Sequence, residues 1–446
     1  MSPTGALRQV RNRLSGALWP VPALAIVLAV GLGVTLPALD GLLGGPGDDN
    51  PLTFAFGGGP SAARDVLAAI AGSLISVTGL TFSFTVVALQ LSSSQHSPRL
   101  LQTFVTDRVV QATLGVLVGT FVYALTVLRT VRTEGADDVA FVPRLSVTVA
   151  FGLTVISVMA LVLFLGHLAR SLRVETMLRD VSDEARATFA RELPEAGSEP
   201  ASARAELPSG PPRPVLARSS GFVVDVDGPR IAEAAERAGA TVLLAHRIGD
   251  SVVAGTPIAH AWPAAPGSAV DLDAVGEALA EGVRLSFERT PDRDVAYSLR
   301  KTVDITGRAL SPGSNDPTTA VHGLSHVSAL LGELVSCPLD ATPFRDEDGV
   351  LRFVLPQWTA EELVRLGIEE PIQYAGGQPA VLRRLAGLLR ELAWRAPRGS
   401  LDETLRTRLD QVVALAEEST SIDRAETTLW RTHLSDALAG RWTVQP

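Results

Sequence analysis

Cysteine is nearly absent. Cys337 is the only one in 446 residues, which excludes a disulfide framework and any CxxC metal knuckle. Lysine is equally scarce: Lys301 stands alone and every other basic side chain is arginine, a bias that reads as codon usage. Charge of either sign is thin, at 20% of residues against 46% apolar, where a soluble domain carries about 25% charge. That deficit points to surface that faces lipid. The net charge of −9 leaves no excess of cations to neutralise phosphates, so a nucleic-acid partner is not expected. Walker lysine loops, GxSxG elbows and GxGxxG turns after a strand are missing too, and no cofactor is implied. Gly57-Gly58-Gly59 falls between two apolar runs, in a segment expected outside the cell.

Four runs contain no charged side chain: Leu14 to Leu39, Val66 to Pro98, Val109 to Leu128, and Leu145 to Ala169. A membrane-crossing helix needs about 20 apolar residues, and each run is long enough. No acidic residue falls within them, which argues against a proton-coupled pump. Arg8, Arg11 and Arg13 precede the first run, and Arg170, Arg173 and Arg179 follow the fourth. Asp40, Asp48 and Asp49 lie between the first two. Arginine placement of this kind puts both termini in the cytoplasm of a plasma-membrane protein.

The expected organisation is a four-helix transmembrane domain over 1–171 and a helical stalk over 172–193. A Pro, Ala, Ser and Gly-rich flexible linker follows over 194–217, then a small α/β unit over 218–266. A mainly helical domain completes the chain over 267–446. The fold class is therefore an α-helical membrane protein with a cytosolic α+β domain. Gly249-Asp250 through Pro257-Ile258 has the pattern of a β-hairpin around two turn glycines. It lacks the lysine of a lipoyl or biotinyl carrier. Helices are expected over 272–287, 293–310, 316–336, 378–395, 401–418 and 421–440. Asp316-Pro317 is a helix start, Thr359 to Glu362 a capping box, and Val350 to Leu355 a strand that pairs with the earlier ones.

The second span carries polar residues in two stripes at helical period. Gly72, Ser76, Gly79, Ser83, Gln90 and Ser94 share one face; Thr78, Thr81, Thr85 and Ser92 share the other. A lipid-facing helix does not favour polar atoms on both sides, so this span is expected inside the structure, packed between helices or beside water. Gly72, Ser76, Gly79 and Ser83 suit close helix packing. Thr78, Thr81 and Thr85 are then left to line a path in a homo-oligomer, narrowed by Phe82 and Phe84. Past the span, Arg99 and Asp107 sit at the membrane surface. Arg99 suits a lipid phosphate, a ring at a cytoplasmic mouth of the path, or ordinary interfacial anchoring.

In the soluble half, Asp304 and Arg308 are four apart on one helix. Ser311 to Thr319 makes a tight turn that ends at the helix start after Asn315 and Asp316, where free N–H groups suit a small anionic ligand. A plain interhelical turn is the simpler reading. His322 and His326 have metal-ligand spacing, but no glutamate stands between them as in HExxH.

Two stretches carry a resemblance. Phe82 through Gln90 with Ser97-Pro98-Arg99 and Asp107, and Asp304 to Ala320 with its ALSPGSNDPTTA run, resemble a large bacterial family of predicted membrane proteins with a domain of unknown function. The resemblance covers about Phe54 to Leu438. It implies four spans and a cytosolic C-terminal region, and it brings no activity, cofactor or catalytic residue. The residues leave three readings: a homo-oligomeric channel in the bilayer regulated by its cytosolic half, a membrane-anchored enzyme at the Asn315-Asp316 turn, and a non-catalytic sensor or scaffold.

Overall fold

The computed structural model describes residues 18–43, 56–95, 107–132, 141–171, 173–194, 207–264 and 269–443. Among them are thirteen helices and eight strands. The chain divides into two compact units, Met1–Thr176 and Met177–Pro446.

Four helices of the first unit are long and apolar enough to cross a membrane. They are α1 (Pro20–Leu43), α2 (Pro60–Gln95), α3 (Arg108–Leu128) and α4 (Arg144–Ser171). The most enclosed one is α3, with the second span, expected inside the structure, next after it. Of the most apolar window of α3 56% is buried, against 28% for α2. The cause is small residues on two sides of α3. Gly115 and Gly119, one turn apart, let α1 approach so closely that an added Cβ would stand 3.5 and 3.4 Å from Ala25 Cβ. On the α1 side, Gly33 leaves room for Thr126. Elsewhere α3 buries Leu117, Tyr123, Ala124 and Val127 in one core with Leu67, Ile70 and Leu74 of α2 and Val147 and Ala150 of α4.

Lipid offers no hydrogen bonds, so buried polar groups must pair within the bundle. Ser157 Oγ donates to Thr120 Oγ1 at 3.0 Å, and the Tyr123 hydroxyl donates to the Ser146 carbonyl at 3.1 Å. Asp40 is not a loop residue. It lies inside α1, 8% exposed, and accepts from Leu145 N (3.0 Å), Ser146 N (3.0 Å) and Ser146 Oγ (2.8 Å). The expectation that the membrane helices hold no acid is thereby corrected. The N-terminal turn of α4 presents unsatisfied N–H groups, and a carboxylate from another helix meets them.

The boundary falls in the first turn of α5 (Val174–Glu192), and the second unit takes in this helix from Met177 onward. An α/β part follows: β1 (Arg213–Leu216), β2 (Gly221–Val226), α6 (Gly228–Arg237), β3 (Ala240–Leu244), β4 (Ser251–Val252), β5 (Pro257–Pro263), α7 (Leu272–Gly282) and β6 (Val283–Ser286). Helices α8 (Val295–Leu310) and α9 (Pro317–Leu334) come next. Then β7 (Thr342–Arg345) and β8 (Leu351–Leu355) return to the sheet before α10 (Ala360–Tyr374), α11 (Pro379–Arg395), α12 (Asp402–Glu417) and α13 (Arg424–Leu438).

Two sheets form, in strand orders β1-β5-β3-β8-β7 and β4-β2-β6. The expected strand at 350–355 is β8, parallel to β3, with Val242 opposite Phe353. The expected hairpin from Gly249 to Ile258 is not one. β4 pairs with β2, β5 pairs with β1 and β3, and the chain crosses between sheets at the turn of Gly255. The helix expected over 272–287 ends at Gly282 because the next four residues pair with β2. β1 likewise occupies the end of the expected linker. A second core unites α5 with α8 through α13, including Ala185, Phe189, Leu299, Leu324, Leu385 and Leu409. The stalk helix is thus packed into the helical core of this unit through its apolar stripe.

Candidate functional site

The two stripes of α2 face opposite ways. Thr81 and Thr85 are buried at 1% and 5% exposure. Their hydroxyls donate to the carbonyls of Val77 (2.8 Å) and Thr81 (2.9 Å), and Thr78 does the same to Leu74 (2.7 Å). A threonine that satisfies its own hydroxyl on its own helix can be buried against apolar neighbours. Of the threonines expected at an axis, Thr81 and Thr85 are therefore core residues of the subunit, and Thr78 is half-buried. Gly72, Ser76, Gly79, Ser83 and Gln90 lie on the exposed face. A Cβ at Gly72 or Gly79 would meet nothing within 4 Å. Phe82 (54% exposed) and Phe84 (44%) border this face on its two sides. The side chains of Ser92 and Ser94, and the whole of Arg99, lie outside the described residues.

Asp107 does more than mark an interface. Its Oδ1 accepts from Val109 N at 2.8 Å and Val110 N at 3.4 Å, capping α3. Its Oδ2 stands 2.6 Å from His167 Nε2 on α4, whose other near neighbour is Ser171 Oγ at 3.3 Å. The start of α3 and the end of α4 are clipped together by this pair. His167 and Asp40 are functional candidates that reading the sequence missed. For His167 the signal was a lone histidine in the last two turns of an uncharged run. For Asp40 it was an acid one residue past such a run.

In the second unit the polar groups of the Asn315 turn are engaged within the fold. Asn315 has a left-handed backbone, φ 43°, and its Oδ1 accepts from Gln378 Nε2 at 2.8 Å. Asp316 Oδ1 accepts from Thr318 N and Thr319 N, both at 3.1 Å. Bonds from Thr319, then Thr318, hold the Asp316 carboxyl below the usual carboxylate range. Ser311 Oγ donates to the Arg308 carbonyl at 2.7 Å. Asp304 accepts from Arg300 Nε at 2.7 Å, and the same guanidinium reaches Glu370 at 2.5 Å. His326 Nδ1 is 2.8 Å from Ser182 Oγ of α5, and burial, then Arg186, push its pKa down. His322 is exposed.

The one lysine has a particular place. Lys301 is 4% exposed. Its Nζ lies 2.8 Å from Glu184 Oε2 of α5 and 4.8 Å from the centre of the Tyr297 ring. Further polar ties of α5, besides Ser182 to His326, include Arg186 to Glu333 (2.8 Å), Thr188 Oγ1 to the Pro291 carbonyl (2.9 Å), Arg191 to the Asp292 carbonyl (3.0 Å), and Glu192 to Arg293 (3.0 Å).

Four apolar spans in a bundle, followed by an α+β unit dominated by helices, define a multi-pass helical membrane protein. The family described as predicted membrane protein (DUF2254) matches residues 15–391, and the chain belongs to that family. It is 34% identical over 418 residues to uncharacterized protein Rv1290c of Mycobacterium tuberculosis, with 92% of this chain and 78% of that protein covered. The identity and coverage are the same for uncharacterized protein Mb1321c of Mycobacterium bovis. No solved structure matches.

Proposed function

We propose that the protein is a homo-oligomer of the plasma membrane whose copies meet along the glycine/serine face of α2. Between those faces runs a path for small ions, and the second unit, in the cytosol with both termini, regulates it. The observation that carries this reading is the exposed run Gly72, Ser76, Gly79, Ser83. The steps of four, three and four residues follow a heptad seam, the period of left-handed helix pairs. Small residues let such helices approach closely, and packing rather than apolar burial drives association in lipid. A face of open glycines and short serine side chains, of which Ser76 donates to the Gly72 carbonyl at 3.0 Å, gains little from acyl chains. Against other copies it gains packing, and against water it gains hydration. Phe82 and Phe84 flank it and supply an apolar constriction of the kind that gates by dewetting.

The reading differs from the sequence expectation in one respect: the glycine/serine face, not the threonine face, is turned to the axis. The test is the oligomeric state of the detergent-purified chain together with its conductance in planar bilayers. A stable oligomer that carries current supports the reading, and a monomer without current rejects it. A sensor or enzyme centred on the Asn315-Asp316 turn has less support, since Asn315 and Asp316 already hold Gln378 and the α9 N-terminus.

A further inference from the structure

Each end of the bundle is held by a carboxylate and carries arginines: Arg64, Arg129, Arg132 and Arg144 stand at the Asp40 end, and a separate set stands at the other. At the end clipped by Asp107 and His167, Leu18 packs beside Val110, Leu114 and Phe164. The start of α1 therefore lies at the same level. Trp19, the next residue, is 63% exposed. An exposed indole at the end of a span favours the headgroup layer. At this level stand Arg108, adjacent to Asp107, and Arg170, three residues past His167, with Arg173 just beyond α4. All three are exposed, and among the described residues no carboxylate forms an ion pair with them. The acids nearest along the chain are Asp107, whose two oxygens are taken by the α3 N-terminus and His167, and Glu175.

We propose that Arg108 and Arg170, with Arg173 beside them, bind the phosphate of an anionic phospholipid headgroup. The Asp107–His167 pair does two things for this site. It draws the two arginine-bearing helix ends together, and it keeps the local carboxylate occupied, so that the guanidinium groups are left to an outside anion. Guanidinium forks match phosphate oxygens in pairs, with more geometric specificity than an ammonium. The level of Trp19 selects a lipid over a free anion, because the headgroup phosphate resides there. The site does not depend on conduction and stands whether or not the protein is a channel.

The experiment is native mass spectrometry of the detergent-purified full chain with matched phosphatidylglycerol and phosphatidylcholine, beside melting curves without lipid. Wild type retains phosphatidylglycerol in preference by on the order of ten-fold, the scale expected from two arginines at an anionic surface. R108Q/R170Q brings the ratio close to one with its lipid-free melting temperature unchanged. H167A keeps both arginines but releases Asp107 to compete for them, and it lowers the ratio as well. Equal retention of the two lipids by wild type overturns the proposal, as does a preference that survives R108Q/R170Q. Displacement of phosphatidylglycerol by millimolar inorganic phosphate would make this a soluble-anion site and overturn the lipid assignment.

Discussion

Replacing Lys301 by methionine removes a charge and keeps the length of the side chain, so it isolates what the ammonium contributes. Lys301 is enclosed, its side chain 5% exposed, whereas that of Glu184 is 29% exposed. The lost charge-assisted bond is worth roughly 1.5–3 kcal/mol, and the contact with the face of Tyr297 about 0.5–2 kcal/mol. Glu184 recovers part of its hydration, and the methionine gains apolar burial. The net expectation is a loss of about 2–3 kcal/mol. In a unit of this size that lowers the melting temperature by roughly 4–12 °C. Five of the six tryptophans follow position 177, so their fluorescence in detergent reports on the second unit. Glu184→Gln costs at least as much as Lys301→Met, because it strands the enclosed ammonium opposite a neutral acceptor. In the double variant with Glu184→Leu the losses fall short of additive by about 1 kcal/mol or more. A melting temperature unmoved by Lys301→Met, or strict additivity in the double variant, refutes the claim that this pair docks α5.

Three further outcomes follow from the same geometry. Asp40→Ala removes three bonds from the α4 N-terminus and leaves buried donors unpaired, a loss of about 2–4 kcal/mol in the bundle, measured by unfolding in mixed micelles. Gly119→Val drives a branched side chain into Ala25 and lowers bundle stability by about 1–3 kcal/mol, whereas Gly79→Val, with open space around it, leaves the melting of the subunit unchanged. Acidification weakens the second unit through His326, whose pKa is lowered in the folded chain. The unfolded chain takes up the proton first, so stability is full above about pH 6.5 and declines as pH falls through the folded pKa. His326→Gln flattens the slope of melting temperature against pH in that window.

The spans and most helices of the second unit were legible because each rests on a local signal: uncharged runs, the caps at Asp316 and Thr359, and the apolar period of α11. What was illegible depended on partners distant in sequence. The α2 stripes were equally small and polar, and only the neighbouring α3 determined that the threonines turn inward. Gly115 and Gly119 were a readable small-residue pair that marked α3 as the central helix. The run from Gly249 to Ile258 has local hairpin chemistry, yet β4 and β5 find different partners in different sheets. Lys301 stood out in the sequence, but composition could not say that the lone ammonium is enclosed beside Glu184. The polar groups of the Asn315 turn look available in sequence, and Gln378, sixty-three residues away, takes the asparagine.

The most direct measurement is disulfide crosslinking of the full chain in membranes, with Cys337→Ser as background and single cysteines at Gly72, Ser76, Gly79 and Ser83. The account predicts crosslinked oligomers from all four positions, and none from cysteine at Thr81 or Thr85, which are buried in the subunit. Crosslinking absent from the glycine/serine face, or equal at the threonine positions, would contradict the proposal that copies of α2 meet along this seam.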